Sequence, residues 1–589
     1  VVTDGEITVD TFATTAKTIS TAVTVYRVIG TTDENSDEPT VETINADVLP
    51  EAGSTGYGVD TVVFWNGADA PDDPLEVGTG SYMIVVSELV DDDNDSETDP
   101  VLVYSWESTP RIVEEEILIE ESGFPSYAFA NGNGFPDGDG FADARATAVA
   151  TTYGIQLGES DDSIENYGNI TVTARADAVV HAGADGDSSG DADGTTVSRA
   201  TARATGLDIG LGNNSVYNNG ILNVSAIPIA QARTDVSGGD YCIWFFGWHC
   251  GAGGDGTGNA ETYFIAEATG IVADNGNNSI INEGEIRVSA RPDLHFDDRL
   301  DFDYAAIVRQ EDTEYFYVNS SADAYGIRVG DTDENNTIIN NGTLTVSAYD
   351  LSSGCDTDTC RNLLKANDDS STPDLVEVIS ATGIMTGSGN DLVINNGSVS
   401  AQIFKNNNPT PAIAITTGGG DDILVLGDES VVKGDIDLGL DNDTLHLIGN
   451  PEVQNTLTPG SGMNSLVFEG PGYFANSLVG FNDRALKYGL GTYSVPNLPT
   501  MQSIEIQEGV IQTGSNYNFA SAGLFQTTVN SDGSFGKLHV VGSTDLNGSL
   551  TVLRDAEGPY LDETRYGIIE AEQGVSESFA DVTLPAPTQ

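Results

Sequence analysis

Basic residues are scarce in this chain: 22 Lys and Arg stand against 92 Asp and Glu over 589 residues, a formal net charge of -70. Such a surface repels nucleic acid and anionic lipid and draws divalent cations, so no nucleic-acid partner is expected. Salty surroundings suit it, because the Debye length falls to about 3 Å at 1 M and self-repulsion is screened. Histidine numbers only five, which leaves little for acid–base catalysis. No apolar run approaches the length of about 18 residues that a membrane-spanning helix needs, so no transmembrane segment is expected. The chain opens on Val1 with no basic, apolar leader. That reads as a mature form whose signal has been removed, or as a chain begun at a chosen point.

Cysteine is limited to four residues in two close pairs, Cys242 with Cys250 and Cys355 with Cys360. Two local disulfides formed in an oxidising compartment are the leading reading. A metal site would need partner ligands at suitable spacing, and His249 beside Cys250 has no counterpart at the other pair. Proline is sparse at 21 and glycine plentiful at 67, a balance that suits many tight turns.

What the chain has in quantity is repetition. Ala204-Thr205-Gly206-Leu207, Ala268-Thr269-Gly270-Ile271, Ala324-Tyr325-Gly326-Ile327 and Ala381-Thr382-Gly383-Ile384 align, with Tyr153-Gly154-Ile155 as a weaker first copy. Each is followed by Asn-x-Gly, from Asn166, Asn218, Asn282, Asn340 and Asn395, at Gly-to-Gly offsets of 14, 14, 14, 16 and 14. Strict alternation follows, as in Ile286-Arg287-Val288-Ser289-Ala290. Period two means a strand with one buried face. Three short strands per copy, parted by Gly and Asn that tolerate positive φ, describe one coil of a solenoid. A coil cannot bury its apolar row alone, so copies must stack as parallel strands about 4.8 Å apart. The five asparagines would then form a ladder; the plainer reading, that Asn-x-Gly merely fits a turn, does not explain the recurrence.

Four regions follow. Residues 1–125 show no copy of the repeat and read as an N-terminal β-rich cap or small β domain, since an uncapped first coil exposes a sheet edge. Residues 126–400 carry the repeats, with surplus chain at about 175–200, 227–262, 291–320 and 349–375 leaving one corner as loops or hairpins, or else as less regular additional coils. Residues 401–530 read as shorter coils, and 531–589 as the end of the stack. Insertions on one face of a repeat protein are where binding surfaces usually lie. The second excursion places Ile243, Trp244, Phe245, Phe246 and Trp248 between Cys242 and Cys250. Exposed, this is a rigid contact loop for a partner or another copy of the chain; folded down, it packs on the wall.

No cofactor is required by this reading, and calcium is the one ion with a candidate site. Asp137, Asp139 and Asp143 have a D-x-D-G-x-x-D spacing in which a Gly-enabled turn gathers carboxylates around a hard cation. Gly418 to Leu426 and Gly434 to Leu447 faintly resemble the calcium-binding nonapeptide repeat. That motif needs tandem copies nine residues apart, and Gly387 lies some thirty residues before Gly418, so calcium is not expected there. Gly186-Asp187-Ser188-Ser189-Gly190, near His181, is the nearest approach to a nucleophile loop and has no credible partners. The chain is therefore expected not to be an enzyme; a β-helix enzyme degrading polysaccharide is the alternative.

The segment Gly536-Lys537-Leu538-His539-Val540-Val541-Gly542-Ser543-Thr544-Asp545-Leu546-Asn547-Gly548-Ser549-Leu550-Thr551-Val552 resembles the closing stretch of autotransporter passenger domains. The resemblance continues through Gly558-Pro559-Tyr560, Thr564-Arg565-Tyr566-Gly567-Ile568-Ile569 and Gly574-Val575-Ser576-Glu577-Ser578-Phe579. It implies an all-β, right-handed parallel β-helix whose C-terminal end folds first during export. It also implies a location outside the cell or on the bacterial outer surface. Members of that family end in an outer-membrane barrel, and Gln589 stands where the linker and barrel would follow. The role implied is adhesion or construction at the surface, with a receptor, a glycan or another copy as partner, and fibres or a coat as one form of it.

Overall fold

A computed structural model describes, with side chains, residues 145, 147–158, 160–178, 195–230, 259, 261–293, 317–330, 333–353, 376–554 and 564–585, and further strands as backbone. Each copy of the repeat gives one strand to each of three sheets. The copy around Ala268 supplies Gly256–Ala273 to the first sheet, Ser279–Asn282 to the second and Glu285–Ala290 to the third. The next copy supplies Thr313–Val329, Thr337–Asn340 and Thr343–Tyr349. All three pairings are parallel and in register, matching Ala268 with Ala324, Asn282 with Asn340 and Ile286 with Leu344. Among the described strands the sheets have 8, 15 and 12 members. The second sheet runs on to Asp581–Thr583, while a five-stranded and a three-stranded sheet replace its two neighbours near the C-terminal end.

Alternation places equivalent apolar residues one above another. Ile155, Leu207, Ile271, Ile327 and Ile384 are fully buried, as are Ile170, Leu222, Ile286 and Leu344, and they belong to one continuous apolar cluster. Each such side chain is worth about 1.5–3 kcal/mol when fully buried, so stacking is what makes the coil stable. Among the described residues there is no α-helix, and no helix is long and apolar enough to cross a membrane.

The repeat glycines serve a purpose other than the expected positive φ. A Cβ on Gly154, Gly206, Gly270, Gly326 or Gly383 would lie 2.3–2.5 Å from a carbonyl oxygen of the next coil. Close approach between coils therefore excludes any side chain there. The left-handed turns fall instead at residues such as Gly210, with φ 60°, and Gly276, with φ 141°.

The surplus chain of the first excursion takes a form that differs from loops or self-paired hairpins. Asn169–Asp185 and Ala192–Asp208 are long arms that prolong the third and first sheets outward. They do not pair with each other. The first arm lies in register on Ile221–Ser237 and the second on Gly256–Ala273. Small buried residues, among them Ala176, Ala178, Ala200 and Ala202, fill the space between the arms. Ser198 Oγ donates across it to the Ala178 carbonyl at 2.6 Å. Further along the chain, Leu351–Gly354 forms a 3-10 turn after Thr343–Tyr349, and Ser398–Lys405 folds back antiparallel on Asn408–Pro411.

The N-terminal region contributes to the stack itself. Val2–Thr3 pairs with Glu165–Asn166, and Glu6–Ala13 pairs with Asn169–Ala176. On their other side lie Arg111–Ile112 and Glu116–Glu121. Thr3 thus stands at the position of Asn166, in a half copy of the repeat that the missing Asn hides from sequence alignment. Val41–Thr43, Ser20–Val28 and Tyr82–Leu89 form a separate antiparallel sheet.

Candidate functional site

The five asparagines lie in one buried column. Asn166 Nδ2 donates to Asn218 Oδ1 at 2.6 Å, Asn218 to Asn282, Asn282 to Asn340 and Asn340 to Asn395 at 2.7 Å each, and Asn395 to Ser430 Oγ at 2.6 Å. All five residues are fully buried. A buried amide must find partners, and aligned amides polarise one another along the column.

A pair of further ladders runs beside it, and sequence reasoning missed both. They are built by adjacent residues: Asn213-Asn214, Asn277-Asn278, Asn335-Asn336, Asn390-Asp391, Asp421-Asp422 and Asn442-Asp443. In the inner ladder the backbone N–H of one coil donates forward to the next side chain, as from Asn214 to Asn278 Oδ1 at 3.1 Å, Asp391 to Asp422 Oδ1 at 2.7 Å and Asp443 to Asn464 Oδ1 at 2.7 Å. In the outer ladder the N–H donates backward, as from Asn277 to Asn213 Oδ1 at 3.0 Å, Asp421 to Asn390 Oδ1 at 2.8 Å and Met463 to Asn442 Oδ1 at 2.9 Å. Each junction between coils is therefore bolted in both directions. The signal was present as an Asn or Asp two residues before Val216, Ile280, Ile338, Val393, Leu424 and Leu445, the first inward apolar residue of the second-sheet strand in each of these coils. Aligned on that signal, the repeat extends to the coil at Ile423–Leu426 and the coil at Thr444–Ile448, which are direct neighbours.

The aromatic segment sits between the outer ends of two arms, Ile221–Ser237 and Gly256–Ala273. Tyr241–Trp244 and Trp248–Gly251 pair antiparallel, setting Cys242 opposite Cys250, Ile243 opposite His249 and Trp244 opposite Trp248. Phe245, Phe246, Cys355, Cys360, Asp137 and Asp139 lie outside the described residues. Asp143 falls in the strand Gly140–Gln156, opposite Thr195, so its backbone follows the sheet. Among the described residues, no three His, Cys, Asp or Glu side chains converge on a metal-sized site.

Two outward-facing features add chemistry. On the third sheet, the registered hydroxyls of Thr173, Ser225, Ser289 and Ser347 floor a shallow trough of about 290 Å³. At its end Tyr349 stacks on Phe404 with centroids 4.6 Å apart, and the Arg291 guanidinium lies 5.8 Å from the Tyr349 ring centre. On the second sheet, His446 Nε2 lies 3.0 Å from Glu469 Oε2, which also accepts from the Tyr488 hydroxyl at 2.7 Å. Burial lowers the His446 pKa against the pull of Glu469, and burial with the Glu469 contact pushes Tyr488 up to about 12. The trio thus pairs a largely neutral imidazole with a protonated phenol. Behind it, the fully buried Lys487 donates Nζ to the carbonyls of Tyr488, at 2.8 Å, and Gly489. Burial lowers its pKa to about 8. No family model, curated protein or solved structure matches the chain.

Proposed function

We propose that the chain is a right-handed parallel β-helix of the autotransporter passenger kind, acting at the bacterial outer surface as an adhesin or structural surface component. Contact with a receptor, a glycan or another copy is made by the arms and the aromatic hairpin at their ends rather than by a pocket. The observation that carries this reading is the uninterrupted second sheet, joined coil to coil by buried amide ladders. Such a stack holds the arms at fixed spacing, and rigid aromatics on them add contact area at small entropy cost. Replacing Trp244 and Trp248 by Ser is expected to abolish attachment or assembly while leaving the unfolding profile unchanged. Unchanged binding would remove the hairpin from the reading. Electron microscopy of the natively secreted material separates single rods from fibres or lattices.

One observation favours a second reading, an enzyme degrading polysaccharide. His446, Glu469 and Tyr488 place a base, an acid and an orienting carboxylate on one wall. Turnover of acidic glycans that disappears in His446→Ala would support it, whereas assembly with no turnover favours the structural role.

A further inference from the structure

The inner ladder changes chemistry partway along. At its asparagine positions the side-chain NH2 donates to carbonyls of its own turn: Asn278 Nδ2 to Gly276 O at 2.9 Å, Asn336 Nδ2 to Glu334 O at 3.2 Å and Asn464 Nδ2 to Pro459 O at 3.0 Å. Asp391, Asp422 and Asp443 occupy equivalent positions, and each is at most 1% exposed. Their Oδ1 atoms accept the N–H of the preceding coil in the same way as asparagine does. Their Oδ2 atoms, standing where asparagine carries its donor, are buried and have no hydrogen-bond partner.

An ionised carboxylate in that place leaves a charged oxygen without a donor in the core, which is among the costliest arrangements a fold can hold. Among the described residues, no cationic side chain is among the groups that act on Asp422 or Asp443. The charges that act on Asp422 are Asp391 and Asp443, and those that act on Asp443 are Asp421, Asp441 and Asp437; the Thr417 hydroxyl, which donates to the Leu438 carbonyl at 2.7 Å, partly favours the ionised form of Asp422 against burial. A carboxylic acid, by contrast, has an O–H at the position of the missing amide donor.

We propose that Asp422 and Asp443 are held as carboxylic acids standing in for asparagine, so that the coils from Gly418 to Leu447 form a proton-held clasp that loosens in mild alkali. Burial, reinforced by the neighbouring carboxylates, pushes Asp422 up to about 8 and Asp443 up to about 7 from the ordinary 3.8. Because the folded-state values are raised, the contribution to stability is fully present below pH 3.8 and is lost as pH rises through about 7 to 8. Asn278 and Asn336, further back in the same ladder, and Asn464, directly after Asp443, have no carboxyl to titrate, so the dependence belongs to the carboxylate stretch of the ladder.

The test is hydrogen exchange of the full chain at pH 6 and pH 9, corrected for intrinsic rates, for the wild type and for Asp422→Asn/Asp443→Asn. Peptides from 418–447 should lose protection by about tenfold or more relative to peptides from 268–290 in the wild type, one pKa unit being a factor of ten. In the double variant the two regions should change alike. Equal pH dependence in wild type and variant would overturn the proposal. So would restoration of wild-type protection at pH 9 by calcium, because a cation rather than a proton would then hold the stack. If the double variant does not fold, Asp443→Asn is read the same way, since Asn464 already occupies that position in the next coil.

Discussion

Asn218 Nδ2 donates to Asn282 Oδ1 at 2.7 Å, between residues 64 positions apart in the chain and both fully buried. Nothing local brings them together. The bond exists because each copy of the repeat is laid on the previous one in register, so each ladder amide depends on both neighbours.

Asn282→Leu breaks two rungs, leaving the Asn218 donor and the Asn340 acceptor unpaired by side chains. An orphaned buried polar group costs about 1–3 kcal/mol, so the variant should lose roughly 2–4 kcal/mol in urea unfolding. Hydrogen exchange should place the loss in the coils that carry Asn218 and Asn340.

Gly270→Ala should be more disruptive than an alanine at a left-handed glycine. Its Cβ would meet Gly326 O at 2.4 Å and Ile286 Cγ2 at 2.9 Å, whereas a Cβ on Gly470, where φ is 60°, meets nothing within 4 Å. The first forces coils apart, at about 1–3 kcal/mol or more; the second costs only the left-handed backbone, about 1–2 kcal/mol. Thermal unfolding of the two variants side by side reads the difference.

Ala202→Leu should destabilise the arms rather than the apolar interior of the coils. Ala202 lies between Ala150 and Ala266 in the column of small residues that lets the two arms face each other. Overfilling that space costs about 1–3 kcal/mol. Protection should fall in the arm peptides, while peptides carrying Ile280 and Ile338 remain as in the wild type.

Much of this architecture was legible in the sequence because stacking demands sameness. Ile164, Val216, Ile280, Ile338 and Val393 recur at one position, and they line the interior of the second sheet. The column from Asn166 to Asn395 was legible for the same reason. The inner and outer ladders were not, since Asp takes the place of Asn at some of their positions and either residue offers the oxygen that the backbone N–H needs. The half copy at Val2 to Val9 escaped because Thr3 replaces the marker asparagine. The arms are not distinguishable in the sequence from loops, hairpins or irregular extra coils because Ala-x-Ala carries little hydrophobic signal, although alanine is what a narrow gap between two sheets selects. His446, Glu469 and Tyr488 were invisible as a group, being brought together only by strands 19 to 42 residues apart.

The most direct measurement of the central claim is a distance along the second sheet. Glu165 and Gln526 face outward in the same row, ten registered steps apart through Tyr217, Ile281, Ile339, Ile394, Val425, His446, Val467, Leu486 and Glu505. Spin labels attached at these two positions without using cysteine should give a narrow pulsed-EPR distance near 48 Å, from about 4.8 Å per strand. Moving the second label to Leu486 should shorten it by about 10 Å, or two strand spacings. A broad distribution, or a distance that does not change with that move, would contradict the stacking of copies on which the whole account rests.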